Sequence, residues 1–425
     1  IMKVKGIFIG LFLLLPAGMM IAQQEQQSYR LTLKQACEYA LQHNKSLLNA
    51  RDQALSSKEK IRESIAQGFP QVTSSLDYMT YFNYEMNFSF GGGGEGIDFN
   101  NPLFDEGDRA VLGTIGSMFG SSEPIVMKDQ LTGNIKVSQL LFSGQYIAGV
   151  KAAKIARQLA EQNVVASEFD VKENVTNTYF LILTTEQTLR IIGENLNNLN
   201  TIQQHTANMY KAGIAEETDV DQLKITVSQL KNSQKALERM NQLNYNMLKF
   251  QLGLPPDADV SLADDLTRVM ELAGAGEEVS ADHDITANIN YMMMESQVQL
   301  NRKLLSLQNM SYTPTLAAFY NYTEKFITTA FDLNPNHLAG FTMSLPIFTG
   351  GMRRAQVAQA RINLEIAERN RDMVKDQLEL QQNQLLYNYQ NALENYNTQK
   401  ENVAIAERVY KSIQNKYQQG VASSL

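Results

Sequence analysis

The feature that most constrains this chain of 425 residues is a long pattern that occurs twice. Residues 137–144 read VSQLLFSG and residues 343–350 read MSLPIFTG, and each copy leads into a Gln- and Ala-rich stretch that ends in Tyr-x-x-Gly. From the phenylalanine of the motif to that glycine is 71 residues in the first copy and 72 in the second. Two matched spacings of this length indicate a tandem repeat.

Long helices are indicated by the absence of proline from residues 125–254, 257–313 and 347–425. After the first motif, apolar residues recur at mixed three- and four-residue spacing, which favours coiled-coil-like packing with neighbours on two sides. A helix from Gly144 to Tyr210 would be roughly 100 Å long at 1.5 Å per residue, too long for a globular core. We therefore predict long helices that pack side by side, over residues 144–211, 217–252 and 350–419.

Upstream of each motif, apolar and polar residues alternate, as they do in β-strands whose two faces meet different surroundings. Four strands are predicted, two per repeat, over about residues 71–90, 129–142, 313–326 and 337–348. Shorter helices, over residues 31–68 and 286–311, precede the two strand pairs. The polar side chains expected on one face of the strands are Asp77, Asn83, Glu85, Asn134, Lys136, Asn321 and Lys325.

The sequence divides into a signal peptide, two repeats and a linker. Residues 1–22 combine two lysines, an apolar run and a small-residue exit, which is typical of a secretory signal peptide. The first repeat would occupy residues 23–252 and the second 286–425, with an acidic linker over 253–285. No apolar run is long enough for a spanning helix, but strands that close into a barrel could cross a bilayer. A sandwich of two sheets is the alternative, although it would not explain the long helices.

Charge and motif content argue against several function classes. The formal net charge is -8, and the loss of Lys3 and Lys5 with the signal peptide changes it to -10, which argues against a nucleic-acid partner. Because the chain has a single cysteine, Cys37, an internal disulfide is impossible. The four histidines lack ligand spacing, and neither a P-loop nor a nucleophile elbow is present, so we expect no enzyme activity, metal or cofactor.

The order of these features resembles the TolC family of outer-membrane efflux and secretion channels. The features are the signal peptide, LTLKQACEYALQHN, a strand pair ending in LPIFTGG, a long helix to Tyr-x-x-Gly, FQLGLP, and a second copy of the plan. The resemblance covers essentially the whole mature chain. It implies a homotrimer in which four antiparallel strands per copy form a twelve-stranded transmembrane β-barrel, and helical hairpins form a periplasmic α-barrel. It places the protein in the outer membrane of a Gram-negative bacterium, extending into the periplasm.

The resemblance also implies two kinds of site. Each Tyr-x-x-Gly segment would be the periplasmic tip of a hairpin, where an adaptor protein docks; a plain helix-helix turn is the alternative. The tip residues would be Tyr210, Gly213, Ile214, Ala215, Thr218 and Asp219 in the first repeat, and Tyr417, Gly420, Val421, Ala422 and Ser423 in the second. The strand-helix junctions would contain Pro70, Phe142, Gly144, Pro314, Pro346, Phe348 and Gly350. Gly144 and Gly350 are expected to permit a tight backbone turn.

The expected function is that of a passive outer-membrane exit duct in a tripartite efflux system. A periplasmic adaptor would couple it to an inner-membrane pump of the RND or ABC type, and the cargo would be small molecules. Two alternatives stay open, namely a type I protein-secretion duct and a periplasmic coiled-coil scaffold whose strands form a soluble sheet. The second repeat stops at Leu425, just past its tip, so we expect that the last returning helix is missing from a truncated sequence.

Overall fold

A computed structural model describes residues 28–82, 85–86, 102–119, 125–126, 129–272, 284–327 and 335–418. The predicted signal peptide over 1–22 lies outside these residues. The described residues fall into two compact units. The first takes its segments from Ile1–Asn49, Ser167–Val279 and Tyr389–Leu425, and the second from Ala50–Ala166 and Ser280–Asn388. Each unit therefore contains parts of both halves of the sequence.

The described chain is mostly helical, with a few mainly antiparallel strands. In order, the helices are α1 (Leu33–His43), α2 (Lys45–Ala66), α3 (Glu106–Phe119), α4 (Gly144–Lys211), α5 (Glu217–Leu252), α6 (Leu266–Leu272), α7 (Ile289–Asn309) and α8 (Met352–Gln418). The strands are β1 (Ser28–Leu31), β2 (Gln71–Met79), β3 (Glu85–Met86), β4 (Ile125–Val126), β5 (Gln130–Ser143), β6 (Asp259–Leu262), β7 (Thr315–Ile327) and β8 (His337–Ser344). Among the described helices, none combines the length and apolarity that a membrane span requires.

The second unit contains a four-stranded antiparallel sheet with the strand order β2-β5-β7-β8. Direct partners across it include Val72 with Val137, Val137 with Tyr320, and Tyr320 with Ala339. Because directly paired residues point to the same face and successive residues to opposite faces, this register gathers the apolar positions of all four strands on one face. The predicted four strands and their alternation therefore produce one sheet with two unlike faces.

The first unit has its core around one face of α4. The buried positions Val171, Val175, Tyr179 and Ile182 recur every three or four residues, as the helical period requires. The fully buried Leu47, Leu248 and Leu252 belong to the same unit. Fully burying a side chain of this size contributes about 1.5–3 kcal/mol.

The structure corrects the predicted single helix over 31–68, which is interrupted at Asn44. The backbone of Asn44 is extended, with ψ 121°. Its side-chain oxygen accepts hydrogen bonds from the N–H groups of Ser46 (2.9 Å) and Leu47 (3.1 Å), and its amide donates to the Gln251 carbonyl at 2.8 Å. The asparagine thus ends α1 and starts α2 because its amide is used in a tertiary contact that no local pattern reveals.

Two strand bounds and the linker also differ from the prediction. Within the strand predicted over 71–90, β2 ends at Met79, Phe82 has a left-handed backbone with φ 51°, and Glu85–Met86 form the separate strand β3. Residues 83–84 and 87–90 lie outside the described residues. The strand predicted over 337–348 ends at Ser344, shortly before Pro346, which has no N–H for a ladder. The predicted linker over 253–285 contains α6 and also β6, which pairs in parallel with β1.

Candidate functional site

One face of the sheet carries a continuous series of side-chain hydrogen bonds, which we call the polar ladder. Asn134 on β5 donates to Asp77 Oδ2 on β2 at 2.9 Å and accepts from Thr323 Oγ1 on β7 at 2.7 Å. Ser75 donates to the same Asp77 oxygen at 2.9 Å, and Asn321 donates to Thr323 Oγ1 at 3.0 Å. The ladder joins three strands and satisfies polar groups that the sequence predicts on one face.

Of the four remaining predicted polar residues, two lie on this face, one belongs to another strand pair and one lies outside the described residues. Lys136 is paired with Asn321 in the sheet register, and Lys325 with Thr132, so both lysines lie on the face of the polar ladder. Asn83 lies outside the described residues. Glu85 belongs to the short strand β3, which pairs with β4.

The opposite face of the sheet is apolar and, in the single chain, largely uncovered. Its members are Val72, Leu76, Tyr78, Leu131, Ile135, Val137, Leu316, Ala318, Tyr320, Tyr322, Ala339, Phe341 and Met343. The polar exceptions on this face are Ser74, Gln139, Glu324 and His337. The Glu324 carboxylate accepts a hydrogen bond from the Tyr322 hydroxyl, and the Tyr320 hydroxyl lies 2.8 Å from His337 Nδ1. An exposed apolar surface of this extent marks a place where lipid or protein is expected as a neighbour.

The first junction, formed by Phe142, Ser143 and Gly144, is closely packed. The Ser143 hydroxyl accepts a hydrogen bond from the Tyr146 N–H at 3.2 Å, as an N-cap does, and the Tyr146 hydroxyl donates to the Ile65 carbonyl at 3.0 Å. A Cβ at residue 144 would collide with the Thr313 hydroxyl and crowd Met310. The backbone here has no positive φ. Glycine is therefore required at this turn by close packing and not by a left-handed backbone.

The second junction, residues 345–351, is open. Residues 345–349 have no regular structure, and the side chains of Ile347 and Phe348 are 93% and 88% exposed. Gly350 and Gly351 have φ values of 59° and 84°, in the left-handed region that favours glycine, and a Cβ at either position would meet nothing within 4 Å. The expected backbone turn is present at Gly350.

The other junction residues are prolines that lie at or near the ends of strands. Pro70 immediately precedes β2, and Pro314 immediately precedes β7, while Pro346 follows β8. Proline disfavours a helical conformation in the residue before it, which suits these boundaries. Because Thr313 faces Gly144, the start of the second strand pair lies against the first junction.

The first predicted tip is the turn between α4 and α5. Its Gly213 has φ 77°, with hydrogen bonds from the Ile214 N–H to the Met209 carbonyl (2.9 Å) and from the Gly213 N–H to the Tyr210 carbonyl (3.0 Å). These two bonds form a Schellman motif, which ends the helix. Ile214 is 71% exposed, and Tyr210 is partly exposed, so the turn presents apolar surface to its surroundings.

The other predicted tip residues have local structural contacts or lie outside the described chain. Asp219 accepts a hydrogen bond from the Glu216 N–H at 3.2 Å, and Thr218 donates to the Glu216 carboxylate at 3.2 Å, so both support the start of α5. Ala215 is partly buried. In the second tip, Tyr417 lies in the last turn of α8, whereas Gly420, Val421, Ala422 and Ser423 lie outside the described residues.

A buried cluster in the first unit could not be found from the sequence. The Tyr179 hydroxyl donates to Asp264 Oδ2 at 3.1 Å and also lies 3.0 Å from the Leu31 carbonyl, while the Leu33 N–H donates to the same Asp264 oxygen at 2.8 Å. Burial raises the pKa of the Tyr179 hydroxyl, which therefore stays neutral. Tyr179 belongs to the series of apolar residues on one face of α4, so the sequence pattern predicts only that its side chain is buried in the core. The cluster attaches the segment after β1 and the loop after β6 to α4.

The described residues contain no group of three His, Cys, Asp or Glu side chains able to hold a metal ion. Cys37, on α1, is a free thiol 3.7 Å from the Thr176 hydroxyl oxygen. The candidate sites that the geometry above defines are surfaces. They are the two faces of the sheet, the two junctions and the first tip.

Comparison with known proteins identifies the family. A family model described as "Outer membrane efflux protein" matches residues 36–254 and 292–425. No curated protein matches the sequence significantly. The solved structure of the outer membrane protein VceC from Vibrio cholerae is similar with a TM-score of 0.68 and 19% identity, covering 92% of this chain and 87% of that one.

Two further structures show the same fold. The CmeC outer membrane channel of Campylobacter jejuni has a TM-score of 0.68 and 14% identity, covering 96% of this chain and 83% of its own. The MtrE outer membrane channel of Neisseria gonorrhoeae has a TM-score of 0.63 and 14% identity, covering 93% and 81%. Because the family model spans most of the sequence, the chain belongs to the outer membrane efflux protein family, and it is an outer-membrane duct of that family.

Proposed function

We propose that the protein is the passive exit duct of a tripartite efflux system that exports small molecules. A periplasmic adaptor would couple it to a pump in the inner membrane. The observation that carries this proposal is the sheet with a polar ladder on one face and an uncovered apolar surface on the other. A wall between water and lipid requires this division of side chains.

The sheet also supports a proposal about assembly. Among the described strands, its outer members β2 and β8 each have one edge without a partner, and unpaired strand edges recruit other strands. Four strands are too few to enclose a channel, whereas three copies would supply twelve. The 14 residues of β5 and the 13 of β7 exceed the roughly 9–11 that a tilted strand needs to cross a bilayer. We infer a homotrimer in which β8 of one copy pairs with β2 of the next, surrounded by outer-membrane lipid.

The helices support the same assembly. α5 exposes Ile225 and Phe250, and α8 exposes Val403 and Tyr410, although all four are apolar or aromatic. Such side chains on long helices favour sideways packing against other helices. In the proposed trimer they would lie between neighbouring copies and form the periplasmic part of the duct.

Adaptor docking is proposed at the first tip, and by repeat symmetry at the second. The Schellman turn fixes the backbone and leaves Ile214 prominently exposed, which provides a small apolar contact for a partner hairpin. Replacing this side chain by aspartate should weaken adaptor binding without affecting the trimer. A suitable control is Val111→Asp, which adds the same charge at an exposed apolar position of α3 in the other unit.

Assembly and docking can be tested on the same material. After extraction from outer membranes in mild detergent, the native mass should correspond to three copies, and the periplasmic adaptor should co-purify. Ile214→Asp should lose the adaptor and stay trimeric, whereas Val111→Asp should keep both. A folded monomer would contradict the duct, and undiminished adaptor binding by Ile214→Asp would contradict the docking site.

Small-molecule cargo requires a separate test. Deletion of the gene should increase accumulation of a fluorescent dye such as ethidium in cells, and the intact gene should restore efflux. The proteins released into the medium should be unchanged. Loss of a secreted protein with normal dye efflux would instead favour the secretion duct.

A further inference from the structure

The beginning of α8 carries two cationic side chains without anionic partners. Arg353 and Arg354 are its second and third residues, and within the described part of the chain neither forms an ion pair. Arg354 is exposed, and one terminal nitrogen of Arg353 is buried without a hydrogen-bond acceptor. The exposed Arg354 guanidinium keeps its N–H donors accessible to an acceptor from outside the chain, and Arg353 adds a second positive charge beside it that no carboxylate of the described residues neutralises. The pair therefore points to an anion supplied from outside the described chain.

The backbone adds to the positive potential at this point. The first turn of α8 contains no acidic residue, and a helix N-terminus carries a partial positive charge from its unpaired N–H groups. The Arg353 guanidinium carbon lies 6.0 Å from the centre of the Tyr312 ring, which limits the directions open to that side chain. Phosphate suits such a place because it offers several acceptor oxygens to guanidinium groups and helix N–H groups together.

The surroundings indicate a phosphate that is attached to a lipid. Ile347, Phe348 and Met352 are exposed apolar side chains within a few residues of the arginines, and the two intervening glycines leave the backbone uncovered. A soluble anion such as inorganic phosphate gains no binding energy from contact with apolar side chains. An anionic phospholipid would bind to the apolar side chains and to the arginines together, because its acyl chains contact apolar groups while arginines hold its headgroup at the membrane surface.

We propose that the second junction, with Arg353 and Arg354, is a binding site for the phosphate of an anionic phospholipid in the periplasmic leaflet of the outer membrane. The proposal rests on the proposed function, which places this junction at the membrane surface. The lipid would lay its chains along Ile347 and Phe348 and place its phosphate beside the first turn of α8. The arginines would thereby fix the depth at which the sheet enters the bilayer.

The first junction lacks these features and provides an internal control. Its helix begins Gly144, Gln145, Tyr146, without a basic residue, and the Ser143 hydroxyl already satisfies the Tyr146 N–H. Phe142 is only partly exposed. We therefore expect no preference for anionic lipid there.

The experiment uses the fact that these 425 residues contain no tryptophan. In Phe348→Trp the single indole reports on the second junction, and in Phe142→Trp it reports on the first. Trimers of each are reconstituted into phosphatidylcholine vesicles that contain either brominated phosphatidylglycerol or brominated phosphatidylcholine. Quenching gives the relative affinity of the two lipids at each reporter. In Phe348→Trp we expect a preference for phosphatidylglycerol of roughly fivefold per arginine, and in Phe142→Trp none.

The arginines are tested by matched removal of charge. In the Phe348→Trp background, Arg353→Gln with Arg354→Gln should abolish the preference. Arg361→Gln with Arg369→Gln removes the same charge further along α8 and should leave it intact. Arg354→Gln alone, at an exposed position, should reduce the preference to about fivefold. This single variant keeps the test valid if the double variant fails to assemble.

The outcomes separate this site from the duct itself. Quenching by both brominated lipids without a preference would overturn the phosphate site and leave the membrane location standing. Absence of quenching by either lipid would overturn the location as well. If millimolar inorganic phosphate removed the preference, the site would serve free phosphate and the lipid proposal would be wrong.

Discussion

The two strand-helix junctions have nearly the same sequence, but their glycines are needed for different reasons. At the first junction, Gly144 lies against Thr313 and Met310, and there is no space for a Cβ. At the second junction, Gly350 and Gly351 have space around them, but their backbones are left-handed. One junction is closed by packing and hydrogen bonds, and the other is an open turn with exposed apolar side chains.

This difference shows that a repeated motif preserves a residue without preserving its physical role. In the first copy the helix follows directly from the last residue of β5, so the start of α4 is fixed by its neighbours. In the second copy seven residues, 345–351, separate β8 from α8, and the turn itself determines the direction of the helix. Substitutions at matched positions should therefore have different consequences.

The largest effect is expected from Gly144→Ala. The added methyl group would force Thr313 or Met310 to move, and overpacking of this kind costs about 1–3 kcal/mol. Combination with Thr313→Ala should recover part of the loss, because it removes the colliding hydroxyl. Apparent thermal unfolding of the detergent-solubilised protein measures both. Gly149→Ala, on the same helix with only ordinary contact to Leu307, should be neutral or slightly stabilising. An equal decrease of the unfolding temperature in Gly144→Ala and Gly149→Ala would contradict the packing argument.

A somewhat smaller effect is expected from Gly350→Ala and Gly351→Ala. A left-handed backbone costs an L-residue roughly 1–2 kcal/mol, but there is no collision to relieve. Gly350→Asn should lose less than Gly350→Ala, because asparagine tolerates this conformation better. The same unfolding measurement applies. Partial rescue of Gly350→Ala by Thr313→Ala would show that the two junctions are coupled, contrary to our description.

The hydroxyl groups before the two glycines provide the next comparison. Ser143→Ala removes a hydrogen-bonded N-cap and should cost about 1 kcal/mol. Thr349→Ala, at the equivalent place, should be nearly neutral, because among the described residues its hydroxyl makes no hydrogen bond. A comparison of unfolding midpoints tests the pair. A loss at Thr349 as large as that at Ser143 would mean that the second junction is closed like the first.

An effect similar to that of Ser143→Ala is expected from Tyr146→Phe at the first junction. It removes one hydrogen bond to the Ile65 carbonyl, with a typical net value of about 0.5–1.5 kcal/mol, and it retains the ring that packs against Gly68. The equivalent residue of the second copy is the exposed Met352. Met352→Leu, its control, should leave the unfolding midpoint unchanged. A larger loss from Met352→Leu than from Tyr146→Phe would contradict the ranking of the junctions.

Much of the fold is readable from the sequence because its periods are long and regular. Alternation in β5 and β7 identifies two unlike faces, and the proline-free stretches identify α4 and α8. The breaks are harder to predict because they depend on distant partners. Asn44 interrupts a helical pattern to reach the Gln251 carbonyl, and no local signal accompanies the pairing of β1 with β6.

The candidate sites were predictable to the extent that the two copies agree. Repeat alignment locates Gly213 and the junction glycines, and the left-handed backbone at Gly213 agrees with the expected bend. Alignment of the two copies cannot identify functional residues that occur in one copy only. Arg353 and Arg354 have no counterparts after the first motif, and their lack of partners becomes visible only with the surrounding side chains in place.

The central claim, that the sheet separates water from lipid, is tested most directly at two adjacent residues of β5. In a Cys37→Ser background, single cysteines replace Ile135 or Lys136, and the trimer is placed in lipid nanodiscs and treated with a water-soluble maleimide. Both side chains are exposed in the isolated chain, Ile135 by 47%, so a sheet in water would react at both. Our account predicts rapid labelling at residue 136 and protection at residue 135. Equal labelling of the two would contradict it.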